Sequence, residues 1–333
     1  MDAERPASMQ DIADALGVSR ATVSNALSGT GRLSAETARL IRDKAVELNF
    51  APSGVGRALR TGRSATIALV LPDFRMPLFA EFARAFAMAA QRREMALMVA
   101  DSLGDMAIQT RHMLDLSARG IDALIVLPMR GSRLEDVPVS RPLIVLDAET
   151  NPMNTVSADH RAGGRLIARH LACLGHRDVL ILNAPGAPNG AEASRVNDTR
   201  MAGMTEIFTA SGVTMRPVSL PARFENARDF IAGWSPGNTT AIAATYDALA
   251  VGALTALTAR GIVVPRDISV TGFDDTIWGR IVTPDLTTVR QDLDALAEHA
   301  LAYAMGEEEH ARLIPVSLVP RGSTARPLAS APS

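Results

Sequence analysis

Aromatic residues make up only 4% of this 333-residue chain, which has a single cysteine, Cys173, and a single lysine, Lys44. One thiol excludes an intramolecular disulfide and any cysteine-rich zinc site. Cys173 lies in an apolar helical stretch and is expected in the core. His112, His160, His170, His176, His299 and His310 are scattered without ligand spacing, so surface or capping roles are expected, with no metal and no cofactor. No apolar run approaches the ~20 residues that a membrane span needs, and no export segment precedes the first helix, so a cytoplasmic location is expected. A phosphate loop of the Gly-x-x-x-x-Gly-Lys type, a Gly-x-Ser-x-Gly elbow and a His-Glu-x-x-His pair are all missing, and nothing else marks an enzyme.

What is present suits a soluble α/β protein of two or three domains, 47% apolar and built on Ala, Val, Leu and Ile. The net charge of −2 hides a mild split. Residues 1–64 carry nine Lys/Arg against seven Asp/Glu, and the remainder 25 against 29. Basic charge must therefore act locally, through Arg20, Arg32, Arg57, Arg60 and Arg63. With one lysine in the chain, the preference for arginine is a general bias and does not itself indicate phosphate recognition.

The first fifty residues predict three short helices. Ser8 and Asp11 form a capping-box pair, Ile12, Ala13 and Leu16 an apolar stripe, and Gly17 a stop. Ser19 sits where a second N-cap belongs, and Val23 and Leu27 give the next helix an apolar face. Ser34 starts a third helix with the stripe Ala38, Ile41, Ala45 and Leu48. Such a unit reads as helix-turn-helix, with Arg20, Ala21 and Asn25 left on the outer face of the second helix, where side chains can reach base edges. The plain alternative is a helical cap without a nucleic-acid role. Residues 51–64 read as a linker with a short helical register. Arg57, Arg60 and Arg63 can meet phosphates there, and Leu59 is the kind of apolar wedge that enters a minor-groove step.

From Thr66 onward, apolar strands alternate with helices: Thr66–Leu71, Ala96–Ala100, Ala123–Leu127, Pro142–Asp147, then Val179–Leu182, Ala241–Thr245 and Ile268–Gly272. Continuous apolar runs joined by helices mean parallel sheets covered on both faces. The expected architecture is α/β: a head (1–50), a hinge helix or linker (51–64) and a core (65–324). The core comprises two doubly wound subdomains, about 65–158 with 290–324, and 159–289, followed by a loose tail at 325–333. Ligands of such sheets sit beyond the carboxyl ends of the strands. Asp101, Asp147, Asp247 and Asp274-Asp275 all follow apolar strands, either to meet a ligand or to cap the next helix.

At Val18–Leu27 and along the linker, the sequence resembles the lac repressor (LacI/GalR) family of bacterial transcription regulators, and the resemblance extends over nearly the whole chain. It implies that Arg20, Ala21 and Asn25 read bases, that Ser19, Thr22 and Ser24 hold phosphates with Arg57 and Arg60, and that Leu59 wedges into the centre of a palindromic operator. Gly54 and Gly56 depart from the helix formers usual in the hinge, at about 1 kcal/mol each relative to Ala, which implies a hinge that folds only on DNA. Gly272-Phe273-Asp274-Asp275 resembles the family's Gly-aromatic-Asp-Asp signature, and Arg200-Met201-Ala202-Gly203 its Arg-x-x-Gly segment. Tyr246–Gly252 resembles Asn-Asp-x-x-Ala-x-Gly with Tyr for Asn. Met76-Pro77-Leu78-Phe79 resembles Asn-Pro-Phe-Phe.

The effector set implied is Phe79, Asp101, Asp147, Arg200, Tyr246, Asp247, Asp274 and Gln291, on a periplasmic-binding-protein-like core. The expected effector is a sugar or sugar derivative, less hydroxylated than a plain hexose or held differently. The reading is thus a homodimeric, ligand-responsive regulator, a repressor, that binds double-stranded DNA at a pseudo-palindromic operator and makes no membrane contact. A solute-binding protein of the periplasmic type is the alternative.

Overall fold

A computed structural model of the chain describes residues 7–28, 33–50, 63–129, 131–148, 153–184 and 195–328. They fall into two compact units, Met1–Ser64 and Ala65–Ser333.

The small unit holds α1 (Met9–Leu16), α2 (Arg20–Ser28) and α3 (Ala35–Glu47). Ser8 Oγ accepts the Asp11 amide at 3.3 Å, while the Asp11 carboxylate accepts the Ser8 amide at 2.6 Å. Two orphan donors of the first turn are thereby satisfied reciprocally. Gly17, at φ +64°, ends α1 in the left-handed conformation that costs glycine least. Ile12, Ala13, Val23, Ala26, Ile41 and Ala45 are buried together and form the core shared by the three helices.

In the large unit, lobe one is a six-stranded parallel sheet in the order β11-β5-β4-β3-β1-β2. Its strands are β1 (Thr66–Leu71), β2 (Ala96–Asp101), β3 (Ala123–Val126), β4 (Leu143–Leu146), β5 (Asn154–Ala158) and β11 (Arg312–Ile314). Residues of β1 alternate between two cores. Ile67, Leu69 and Leu71 meet α4 (Pro77–Arg92) and α11 (Leu293–Ala304), whereas Ala68 and Val70 join Met113 and Leu116 of α5 (Met106–Ser117). Apolar residues on both faces explain the unbroken hydrophobic run.

Lobe two is a four-stranded parallel sheet, β7-β6-β8-β9, formed by β6 (Asp178–Asn183), β7 (Thr214–Ser219), β8 (Ala241–Ala244) and β9 (Ser269–Thr271). One face is covered by α6 (His160–Leu174) and α7 (Val196–Ala210), the other by α8 (Phe224–Gly233) and α9 (Asp247–Ala259). The short α10 (Ile277–Ile281) follows β9. An antiparallel ribbon of β10 (Thr288–Gln291) and β12 (Val316–Val319) carries the chain between the lobes.

The structure departs from the sequence reading in several places. Cys173 is exposed and does not lie in the core. The buried stripe of α6 is Ile167, Ala168 and Leu171, and two further residues at ~100° each turn Cys173 to the opposite side. His160 and His176 are 0% and 1% exposed, so they are interior groups and not surface histidines. His176 Nε2 faces the Ala325 carbonyl at 3.1 Å, leaving Nδ1 to accept from Thr240 Oγ1 at 2.9 Å. Burial pushes its pKa down to about 4. The chain end is held as far as Ala325, whose amide donates to Ser269 Oγ at 3.0 Å. Residues 321–325 return to lobe two, where Val270 N donates to Ser323 O at 2.8 Å, and do not stay with the first subdomain through 324 as the sequence suggests.

Candidate functional site

In the head, Thr22 N donates to Ser19 Oγ at 3.0 Å, which caps α2. Val23 and Ala26 face the core, whereas Ser19, Arg20, Ala21 and Asn25 are exposed and Thr22 and Ser24 half-buried. The helix thus turns one face inward and presents the predicted base-reading residues on the other. The positive end of its dipole and the Ser19–Thr22 hydroxyls lie together at its start, an arrangement suited to a phosphate oxygen. Arg57, Leu59 and Arg60, predicted in the linker, lie outside the described residues.

In the large unit, four of the predicted effector residues, Asp147, Arg200, Asp274 and Gln291, belong to one buried set, and a fifth, Tyr246, rests against it. Arg200 is 1% exposed and donates from all three guanidinium nitrogens. Nε donates to His160 Nδ1 at 3.2 Å, Nη1 to Thr245 O at 2.5 Å and Nη2 to Asp274 Oδ1 at 2.9 Å. The guanidinium lies 3.7 Å from the centroid of Phe273 and 4.9 Å from that of Tyr246. His160 Nε2 faces Asp147 Oδ1 at 3.1 Å. Burial opposes charge on Asp147, but the adjoining His160, the Ala158 amide and Arg200 outweigh it and hold that carboxyl below the ordinary range. Gln291 Nε2 donates to Asp274 Oδ1 at 2.8 Å. Burial raises Asp274 to about 6 against the pull of Arg200, His160 and Gln291.

Two glycines make this set possible. A Cβ on Gly203 would lie 2.1 Å from Arg161 O, and one on Gly164 would lie 2.1 Å from Arg200 O. Helices α6 and α7 therefore cross in backbone contact, bringing Arg200 beside the first turn of α6, where His160 lies. Gly203, three residues after Arg200, shares its helix face, which gives the Arg-x-x-Gly spacing a physical reason.

Asp247 and Asp101 are engaged separately. The Asp247 carboxylate accepts from Thr276 N at 2.7 Å, Thr276 Oγ1 at 3.1 Å and Thr288 Oγ1 at 2.6 Å. Burial, and then the Asp274 charge, push it up to about 8. A Cβ on Gly272 would sit 2.3 Å from Asp247 Oδ1, so the glycine of the Gly-aromatic-Asp-Asp motif leaves room for this carboxylate. Asp101 accepts the amides of Phe74 (3.3 Å) and Leu103 (2.9 Å) and shapes the loops after β1 and β2.

Phe79 and Tyr246 are the two predicted residues that face the cleft between the lobes. They line a cavity of about 590 Å³ at the carboxyl ends of the strands, with Met76 and Met129 from lobe one and Phe224 and Trp278 from lobe two. Arg223 of lobe two pairs with Asp73 of lobe one at 3.7 Å, and Ile277 N donates to the Glu81 carboxylate at 3.2 Å. Asp274 and Gln291 border a different space of about 800 Å³, among Glu81, Arg84, Arg280 and Arg290. His160, Phe224 and Trp278 were missed by the sequence reading. The rarity of tryptophan, with only two in the chain, was the one available pointer to Trp278. Nothing local distinguishes His160 from any polar residue opening a helix.

Comparison with known proteins gives the same picture. Residues 8–53 match the family model "Bacterial regulatory proteins, lacI family", and residues 168–324 match "Periplasmic binding protein-like domain". The HTH-type transcriptional regulator DegA of Bacillus subtilis (strain 168) is 30% identical over 313 residues, 90% of this chain and 88% of the relative. The HTH-type transcriptional repressor PurR of Pectobacterium carotovorum subsp. carotovorum (strain PC1) is 28% identical over 96% of this chain and 97% of its own. The lac repressor dimer bound to operator and the anti-inducer ONPF superposes with a TM-score of 0.82 at 26% identity, over 96% of this chain and all of that one. Among the described residues no helix is long and apolar enough to cross a membrane. The relatives are regulators, neither enzymes nor solute carriers, and the chain belongs to the lacI family of bacterial regulatory proteins: DNA-binding transcription regulators with a periplasmic binding protein-like effector domain.

Proposed function

We propose that α2 is the recognition helix, with Arg20, Ala21 and Asn25 reading base edges and Ser19, Thr22 and Ser24 fixing the helix to phosphates. Arg57 and Arg60 add phosphate contacts, and Leu59 wedges the central step of a pseudo-palindrome bound by two copies of the chain. The observation that carries this reading is the division of α2 into an inward face, Val23 and Ala26, and an exposed face, Arg20, Ala21 and Asn25. On this reading residues 1–50 are the head, 51–64 the hinge and 65–324 the effector and dimerisation core, in a cytoplasmic, nucleoid-associated repressor.

The effector binds between the lobes and alters operator affinity through their closure. The resemblance points to a sugar or sugar derivative. Phe79 and Tyr246 face the cleft. Asp147, Arg200, Asp274 and Gln291 hold the wall behind Tyr246, and Asp101 and Asp247 set the loops at the strand ends. Coupling of this kind is typically ~1–3 kcal/mol. Anisotropy titration against a selected operator and a scrambled duplex, at one stated salt concentration, tests the head. Arg20→Ala or Asn25→Ala should weaken operator binding by ~10- to 100-fold, and scrambled binding far less. Equal losses on both duplexes would rule out base reading by α2.

A further inference from the structure

In the cavity of about 590 Å³ the apolar lining outweighs the polar. The carboxylates and guanidinium that follow the strands are turned inward and bonded to the protein: Arg200 to His160, Thr245 and Asp274, and Asp247 to Thr276 and Thr288. The large apolar side chains of the cavity's lining are aromatic and thioether, Phe79, Phe224, Tyr246, Trp278, Met76 and Met129, beside the charged Asp73, Arg75, Arg223 and Glu225. A chain with only nine Phe, two Tyr and two Trp has gathered four of those thirteen rings at one cavity.

The rings are held before any ligand arrives. Phe224 and Trp278 meet edge to face, centroids 6.5 Å apart at 84°. Tyr246 rests on the Arg200 guanidinium, itself fixed by its three acceptors. A wall that is already ordered loses little conformational freedom on binding. Two acidic and two basic side chains share the lining: Asp73 pairs with Arg75 at 2.6 Å and with Arg223 at 3.7 Å, and the exposed Glu225 lies within the field of Arg75. The four charges sum to zero, so the lining has no net charge to offer an ionic ligand group.

We infer that the cavity takes an uncharged, aryl-bearing small molecule, its planar ring held between Phe79 of lobe one and the Tyr246, Phe224 and Trp278 rings of lobe two. The inference rests on the cleft being the effector site and names the ligand class for it. The aryl group is supplied either by a free aromatic compound or by a sugar derivative that carries one. A ring contacting both lobes binds the closed arrangement better than the open one, which is the differential contact that effector action requires.

Calorimetric titration of the full chain with indole, phenyl β-glucoside, glucose and ribose tests this. Saturable binding of indole or phenyl β-glucoside is expected, and which of them binds identifies the source of the ring; glucose and ribose should give none. Trp278→Leu keeps apolar bulk but removes a ring, and should weaken the aryl probe about tenfold or more, whereas Trp278→Phe should retain it. Phe79→Leu against Phe79→Tyr gives the same contrast on lobe one, read in variants whose unfolding midpoint matches the parent. Glucose or ribose binding as tightly as the aryl probes, no aryl binding at all, or Leu variants that bind like the parent would each overturn the inference. Operator binding measured with and without the aryl probe separates the two readings. If the probe binds and the cleft variants weaken it but operator affinity does not change, the effector-site reading fails while the ligand class stands; if operator binding is intact and no aryl probe binds, the ligand class falls.

Discussion

Replacing Arg200 by Met removes three buried hydrogen bonds and one charge while keeping an unbranched side chain between Phe273 and Tyr246. Deleting one partner of a buried ion pair typically costs ~3–5 kcal/mol, because the other charge stays behind. Here the penalty should depend on pH. The Asp274 carboxyl already stands at about 6, raised by burial and held from rising further by Arg200 first and by His160 and Gln291 after it. Without Arg200 its folded pKa climbs beyond 6, against ~3.9 in the unfolded chain. Between those values the folded state keeps a proton that the unfolded state has released, so stability falls as pH rises. In the parent that fall ends near 6, and in the variant it continues above. Urea unfolding of the full chain, followed by circular dichroism at pH 5 and pH 8 and constant ionic strength, should show a loss of at least ~3 kcal/mol at pH 8. At pH 5 the loss should be smaller by ~1–2 kcal/mol, since one pKa unit is worth about 1.4 kcal/mol. Adding Asp274→Asn to Arg200→Met should recover part of the loss and flatten its pH dependence. Equal losses at both pH values, or a loss below ~1 kcal/mol, would refute the account of the buried set.

Asp247 follows the same sign rule: its folded pKa of about 8 means stability declines between the unfolded value near 4 and pH 8. Asp247→Asn, which keeps an acceptor for Thr276 and lets the Thr288 hydroxyl turn to accept, should flatten that decline in thermal melts; curves parallel to the parent's would contradict the raised pKa. Gly203→Ala puts a methyl 2.1 Å from Arg161 O and should destabilise the core by about 3 kcal/mol or more in the same urea assay, a parent-like midpoint being the contrary result. Cys173, exposed on α6, should react fully with a thiol reagent in the native protein, and Cys173→Ser should cost no more than ~0.5 kcal/mol; a thiol that reacts only in urea would return it to the core.

Much of the fold was legible because it rests on local signals. The Ser8–Asp11 box, the stop at Gly17 and the cap at Ser34 are short-range devices, written within a few residues of where they act. The runs of β1, β3, β6 and β8 are apolar on both faces because helices cover both faces, so a continuous hydrophobic string marked them. Strand β7 carries no continuous apolar run because it is an edge strand, Thr214–Ser219, half exposed and interrupted by Pro217, which an edge tolerates. Of the residues lining the candidate cavity, Phe79 and Tyr246 were legible in the sequence, and Phe224 and Trp278 were not. Strand ends nominated Asp101, Asp147, Asp247 and Asp274, yet whether a carboxylate faces a ligand or an internal donor depends on partners 10 to 74 residues away, such as Ser157, Thr288 and Arg200. His160 carries no local signal for the same reason: Asp147 and Arg200 meet it only once both lobes are folded.

Selection of genomic DNA fragments by the purified full chain, at one stated near-physiological salt concentration, tests the central claim most directly. The account predicts recovery of a pseudo-palindromic sequence by the parent and loss of that enrichment in Arg20→Ala and Asn25→Ala, both of which alter exposed side chains outside the head's core. Failure of the parent to enrich any sequence, or the same palindrome recovered in undiminished yield by both variants, would contradict it.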